Sequence, residues 1–183
     1  MIFTPLELDG AYLVELDARE DERGFFARAW CREEFQAHGL NSAVVQCNLA
    51  FSRERGTLRG MHFQREPHEE AKLIRCTRGA IFDAIVDLRP ESPTHTRWLG
   101  VELTADNRRA LYVPEGFAHG YLTLVDETET LYQVSEAYAP DAEAGVRWDD
   151  PAFGIVWPTT GRRIISEKDR AWPDYDPAAA HGA

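Results

Sequence analysis

Short runs rich in Val, Ile, Leu, Thr and aromatic residues, separated by turn residues, recur along most of the chain. They cover Ala11 to Leu16, Val44 to Phe51, Lys72 to Thr77, Ala80 to Leu88, Arg97 to Leu103, Ala110 to Val113, Gly120 to Leu124 and Thr130 to Ala137. Many short runs at this spacing predict strands of an all-β sandwich or barrel. Helical period is scarce. The segment Cys31-Arg32-Glu33-Glu34-Phe35-Gln36-Ala37-His38, followed by Gly39, predicts one short helix, and the acidic C-terminal region has room for another. No internal repeat or low-complexity linker divides the 183 residues, a length sufficient for one core. Residues 1–183 therefore read as a single domain, with 173–183 a flexible tail that frays from Asp176 onward.

One hairpin can be drawn in register. With Arg78-Gly79 as a two-residue turn, 76 faces 81, 74 faces 83 and 72 faces 85, so Lys72, Ile74, Cys76, Ile81, Asp83 and Ile85 share a face. Lys72 and Asp83 become diagonal neighbours on it. Two readings stay open: a structural ion pair, or a lysine held by the carboxylate so that its ammonium points into a ligand cavity.

Charge narrows the function. A formal net charge of -11 argues against a nucleic-acid binder, which needs a basic face to displace counterions. Any phosphate bound here must meet a local basic pocket. The N-terminus Met1-Ile2-Phe3-Thr4-Pro5 lacks the regions of a secretory signal, and no apolar run approaches membrane-spanning length, so the protein reads as cytoplasmic. Cys31, Cys47 and Cys76 lie far apart without a Cys-x-x-Cys pair and read as buried free thiols.

Candidate chemistry concentrates in Arg55-Gly56-Thr57-Leu58-Arg59-Gly60-Met61-His62-Phe63-Gln64 and Glu70-Ala71-Lys72-Leu73-Ile74-Arg75. Cationic groups and an imidazole in a segment patterned for a buried sheet are costly unless a reaction or an anion needs them. His38, His68, His95 and His181 occupy surface contexts, whereas His62 and His119 flank strand-like, glycine-punctuated segments. Two histidines in a β-barrel invite a metal reading, but His62 is followed by Phe63-Gln64 rather than completing a His-x-His pair, so no metal site is assigned.

Several separated motifs then match one family in order from about Asp21 to Pro173. Gly56-Thr57-Leu58-Arg59-Gly60-Met61-His62-Phe63-Gln64, Lys72-Leu73-Ile74-Arg75, Gly79-Ala80-Ile81-Phe82-Asp83 and Asp87-Leu88-Arg89-Pro90 lead the series. Val113-Pro114-Glu115-Gly116-Phe117-Ala118-His119-Gly120, Gly145-Val146-Arg147-Trp148-Asp149-Asp150-Pro151 and Ser166-Glu167-Lys168-Asp169 complete it. Together they resemble the dTDP-4-dehydrorhamnose 3,5-epimerase family. The resemblance implies a cupin-type β jelly roll, working as a homodimer without metal or other cofactor, on a nucleotide-linked 4-keto-6-deoxyhexose, most simply a dTDP-sugar. Carbons 3 and 5 of such a sugar flank the C4 ketone, so inversion there needs a base on one face, an acid on the other and a stabilised enolate oxygen.

By the same resemblance His62 is the base, Asp169 orients its imidazole and favours the imidazolium, Lys72 donates to the C4 oxygen, and Tyr132 is the acid. The His62–Asp169 pair requires the C-terminal segment to fold over the barrel mouth. Arg23 and Arg59 correspond to diphosphate ligands, Gln46, Asn48, His119, Glu143 and Lys168 to other substrate contacts. Tyr138, placed on the strand face of Tyr132, corresponds to the aromatic that stacks on thymine. Two positions depart from the family pattern: Arg28 replaces a glutamate after Arg23-Gly24-Phe25-Phe26-Ala27, and Cys47 replaces the aspartate of Gln-Asp-Asn. Arg28 thus joins the substrate-binding candidates with the opposite charge. A 3-epimerase, a 3,4-ketoisomerase and a metal-binding or non-catalytic cupin are the alternatives that share these core motifs.

Overall fold

The computed structural model describes residues 1–177. Its first strands are β1 (Ile2–Pro5), β2 (Tyr12–Glu15), β3 (Arg19–Asp21), β4 (Gly24–Phe26), β5 (Gln46–Ser52), β6 (Thr57–Gln64) and β7 (Lys72–Arg78). The remainder are β8 (Ala80–Asp87), β9 (Trp98–Thr104), β10 (Ala110–Val113), β11 (Phe117–Thr123), β12 (Thr128–Val134), β13 (Glu143–Gly145) and β14 (Ile164–Ile165). Two helices, α1 (Arg32–Ala37) and α2 (Glu167–Arg170), complete the set. One sheet has the order β1-β2-β10-β7-β12-β5 and the other β13-β6-β11-β8-β9, with β14 added parallel to β6. The small hairpin β3–β4 belongs to neither. This is the cupin jelly roll that the motifs imply.

Alternation along the strands builds the core between the sheets. Ile74 and Cys76 from β7 meet Ile81 and Ile85 from β8, with Leu103, Leu111 and Phe117. The even positions of β8 are also covered, because Ala84 and Val86 pack beneath Val146, Phe153 and Trp157 of the C-terminal segment. Burial on both faces explains why Ala80 to Leu88 reads as an unbroken apolar run. On the outside of the other sheet, Phe35 of α1 sits on Val14, Leu73, Ala110 and Tyr112.

The expected hairpin through Arg78-Gly79 does not form. β7 pairs with β10 and β12, and β8 pairs with β9 and β11, so the chain turns a corner at Gly79 from one sheet to the other. Gly79 has φ +78, and a Cβ there would lie 2.6 Å from Thr128 Oγ1. The common apolar face of Ile74, Cys76, Ile81 and Ile85 survives, but across two sheets. Lys72 and Asp83 therefore do not pair. Lys72 binds Glu70 at 3.0 Å, and Asp83 binds His119 at 2.7 Å.

The helix expected at Cys31 to His38 is found at Arg32–Ala37, with Cys31 as its N-cap. Cys76 is buried, whereas Cys47 is exposed on the edge strand β5 and Cys31 is half-buried, which corrects the buried reading for these two thiols. Within the segment expected to form a tail from residue 173, Pro173 and Tyr175 are tied to the body. Arg147 N–H donates to the Pro173 carbonyl at 3.1 Å, and Tyr175 packs on Phe153 while its hydroxyl bonds His95 at 2.8 Å. Residues 178–183, including His181, lie outside the described residues.

Candidate active site

A bulge decides what faces the interior. His119 pairs with His62 but Tyr121 pairs with Arg59, so β6 carries one residue more than β11 between those points. In a regular strand, residues three apart face opposite sides; the extra residue puts both Arg59 and His62 on the inner face. Gly60 makes the crossing possible: its φ is +124, and a Cβ would come 2.5 Å from Gly120 Cα.

On the opposite sheet the side chains are aligned by register. Asn48, Tyr132 and Ile74 form one row across β5, β12 and β7, and Gln46, Val134 and Lys72 form the next. Between the sheets lies a cavity of about 490 Å³ lined by Arg59, His62, Lys72, His119, Tyr121, Tyr132, Glu143, Lys168 and Asp169. It continues into a lobe of about 320 Å³ that adds Gln46, Asn48, Glu70 and Tyr138.

Asp169 reaches this cavity from the C-terminal segment. Ser166 caps α2 by accepting the Asp169 N–H at 3.0 Å, and the buried Asp169 carboxylate then meets His62 Nε2 at 2.7 Å and the Gly60 N–H at 3.3 Å. Burial on its own would raise the Asp169 pKa, but the hydrogen bonds from His62, Gly60 and Ser166 outweigh it and hold the carboxyl below its usual range. It therefore stays ionised as pH falls into the acid range, losing its charge only below the ordinary aspartate value. A carboxylate can only accept, so Nε2 carries the proton and Nδ1 is the basic nitrogen of the neutral ring. Trp172 sets its ring edge-on to His62 at 6.3 Å.

Burial, with smaller contributions from Tyr121 and Glu70, pushes the Tyr132 phenol above its ordinary pKa, so it is protonated at neutral pH. The Lys72 ammonium donates to the His62 carbonyl at 3.4 Å as well as pairing with Glu70. Arg59 is held by the Phe51 carbonyl at 3.3 Å and Ser52 Oγ at 3.4 Å.

The rim is a second network. Lys168 donates to Glu143 Oε1, and the Tyr138 hydroxyl donates to Glu143 Oε2 at 2.7 Å. The Lys168 bond holds the Glu143 carboxyl below its usual pKa, and the Glu143 bond raises those of Lys168 and the Tyr138 phenol. β12 ends at Val134, earlier than the expected Ala137, so strand register does not place Tyr138. Its N–H bonds Gln46 Oε1 at 2.6 Å instead.

The structure thus brings together every sequence-derived candidate except Arg23 and Arg28. Arg23 pairs with Asp21 on the exposed β3–β4 hairpin, and Arg28 pairs with Glu34 of α1 at 2.7 Å. Neither reaches the cavity of its own chain. Three contributors were missed: Tyr121, Glu70 and, as the partner of His119, Asp83. Tyr121 was within reach of strand alternation, two residues from His119 on β11, whereas Glu70 precedes β7 and the His119–Asp83 pair depends on which strands meet. Among the described residues, no group of three or more His, Cys, Asp or Glu side chains is placed to hold a metal, and no helix is long and apolar enough to cross a membrane.

Comparison with known proteins shows the family. Residues 5–176 match the family model of dTDP-4-dehydrorhamnose 3,5-epimerase. The enzyme of that name from Methanothermobacter thermautotrophicus is 48% identical over 172 residues, covering 93% of this chain and 92% of its own. The crystal structure of the Bacillus anthracis enzyme, with TDP and PPi bound, is 42% identical with a TM-score of 0.90, covering 95% of this chain and 99% of its own. A 3'-monoepimerase from Streptomyces bikiniensis in complex with dTDP-quinovose is 36% identical with a TM-score of 0.85, covering 93% of this chain and 86% of its own. With nearly the whole chain matched in sequence and in fold, this protein belongs to the dTDP-4-dehydrorhamnose 3,5-epimerase family of isomerases.

Proposed function

We propose that this protein inverts C3 and C5 of a dTDP-4-keto-6-deoxyhexose, the reaction of dTDP-L-rhamnose biosynthesis. One observation carries the reading: an imidazole paired with a carboxylate stands on one sheet, and a protonated phenol and an ammonium face it from the other. His62 Nδ1 takes the proton from the carbon beside the ketone. The electron pair moves into the carbonyl, and the C4 oxygen becomes an enolate opposite the Lys72 ammonium. Tyr132 then returns a proton to that carbon from the other face, and solvent restores both groups for the next carbon. Asp169 compensates the charge that His62 acquires. This scheme uses no metal, and both cavity histidines are already committed to carboxylates.

Incubation with dTDP-4-keto-6-deoxyglucose in deuterated water, with chelator present, tests the assignment by NMR of the sugar. Deuterium and inversion at both C3 and C5 are expected. Inversion at C3 alone would make the protein a 3-epimerase, and restoration of lost activity by one specific metal would replace the mechanism.

Arg59 is the inner-face guanidinium suited to the diphosphate, because its fork matches two phosphate oxygens. Arg59→Ala should weaken dTDP binding about tenfold or more, and Arg59→Lys should recover only part, by titration calorimetry. Unchanged affinity in both would remove Arg59 from the site.

The active form is a homodimer in this reading. β5 is an edge strand whose outward residues Leu49 and Phe51 are 62% and 43% exposed, Val45 just before it is 54% exposed, and the β3–β4 hairpin carries Phe26 at 78% exposure. Apolar edge strands seldom stay uncovered. The exposed hairpin would let Arg23, with Arg28 beside it, serve a partner's cavity. Sedimentation should return twice the 20.8 kDa chain mass; a monomer with full activity would refute this. A cytoplasmic location fits the three free thiols, which persist in a reducing compartment.

A further inference from the structure

The Lys72 ammonium has three donors, and two have fixed partners: Glu70 Oε1 at 3.0 Å and the His62 carbonyl at 3.4 Å. The third is left for the cavity. Both side chains of the ion pair are largely withdrawn from water, Lys72 at 8% and Glu70 at 13% exposure, yet both line the lobe that also holds Tyr132 and His62. Glu70 is itself held in place, because the next residue exchanges hydrogen bonds with Ser135 on both sides: Ala71 N–H to Ser135 Oγ at 2.8 Å, and Ser135 N–H to the Ala71 carbonyl at 3.0 Å.

A carboxylate is an unexpected group here. The reaction develops negative charge on the ketone oxygen, and a second negative charge within a few ångströms opposes it. Nor does a nearly buried ion pair ordinarily add stability over an apolar pair. Its position is explained if it acts through the lysine. From this geometry we infer that Glu70 is a positioning residue: it fixes the Lys72 ammonium, together with the His62 carbonyl, so that its one free N–H is aimed where the C4 oxygen gains charge. The inference rests on the proposed role of Lys72 as donor to that oxygen. Because the same lysine is tied to the backbone of His62, the base and the oxyanion donor are held relative to each other. The negative charge of Glu70 also raises the Tyr132 phenol's pKa, adding to the larger effect of the phenol's burial.

The two ways in which a carboxylate can act here have opposite signs. If Glu70 positions Lys72, Glu70→Gln should lower kcat about tenfold to a hundredfold, with KM and dTDP affinity kept within about twofold. Glu70→Asp should recover part of the loss. In a Lys72→Met background, Glu70→Gln should cost nothing further, since the residue it acts through is gone. Turnover in Glu70→Gln that is unchanged or faster than the parent overturns the inference, as does a raised KM at constant kcat or a loss that adds fully to that of Lys72→Met. Should Glu70→Gln fail to fold, Glu70→Asp carries the test, and parent-like kcat in it with the ion pair lengthened overturns the inference. The underlying reading fails separately: parent-like turnover in Lys72→Met would remove the donor itself.

Discussion

His62→Asn is expected to lower solvent exchange at both C3 and C5 by about a thousandfold or more, while dTDP still binds and the protein still melts cooperatively. One imidazole serves both carbons in the proposed scheme, so the two exchange rates should fall together. Asparagine keeps a polar group opposite Asp169, whose carboxylate would otherwise be left buried without its 2.7 Å partner. That choice separates loss of the base from loss of the fold. His119 is the other cavity imidazole, but it is held at 2.7 Å by the buried Asp83 and lies on β11. Exchange retained at one carbon and lost at the other would assign a second base, with His119 as the first candidate; exchange retained at both would end the assignment of His62.

Strand existence was legible because alternation and burial leave a local mark. Ala110 to Val113 is found with its expected bounds, and Ala80 to Leu88 differs by one residue from β8. Pairing was not legible. A turn glycine at 79 fits a tight hairpin and a corner between sheets equally well, and only the competition of β10 and β12 for β7 decides between them. The error carried into the site, since it gave Lys72 the wrong carboxylate. The correct one, Glu70, stands two residues before it in the chain, just ahead of β7.

The site was legible mainly through the ordered motifs rather than through residue patterns alone. Nothing in periodicity joins His62 to Asp169, which are 107 residues apart and meet because a two-residue strand, β14, lays the C-terminal segment against β6. The Ser166 cap that places Asp169 is a local signal, but its meaning depends on that docking. Arg23 and Arg28 show the converse: motif position marked them, and the fold of one chain leaves them outside its own cavity. Cys47 shows how an edge strand defeats a burial rule, since its side chain points outward from β5 between the exposed Val45 and Leu49.

Tyr132→Phe should uncouple exchange from inversion. Its ring packs against the inter-sheet core with Ile74, so removing the hydroxyl leaves that packing intact and takes away the proposed proton donor alone. Abstraction by His62 needs the enolate to be stabilised, and Lys72 remains to do so. A proton drawn from solvent through His62 can then return only to the face from which it left. Deuterium should accumulate in unepimerised substrate, while inverted product falls by about a hundredfold. The raised pKa of Tyr132 gives a further handle: with the phenol protonated across neutral pH, the parent enzyme should hold its inversion rate until the pH climbs past the ordinary tyrosine range, as far as this group is concerned. Equal and complete loss of exchange and inversion in Tyr132→Phe would instead make the phenol part of enolate formation or of substrate binding, and a change in dTDP affinity would tell those two apart.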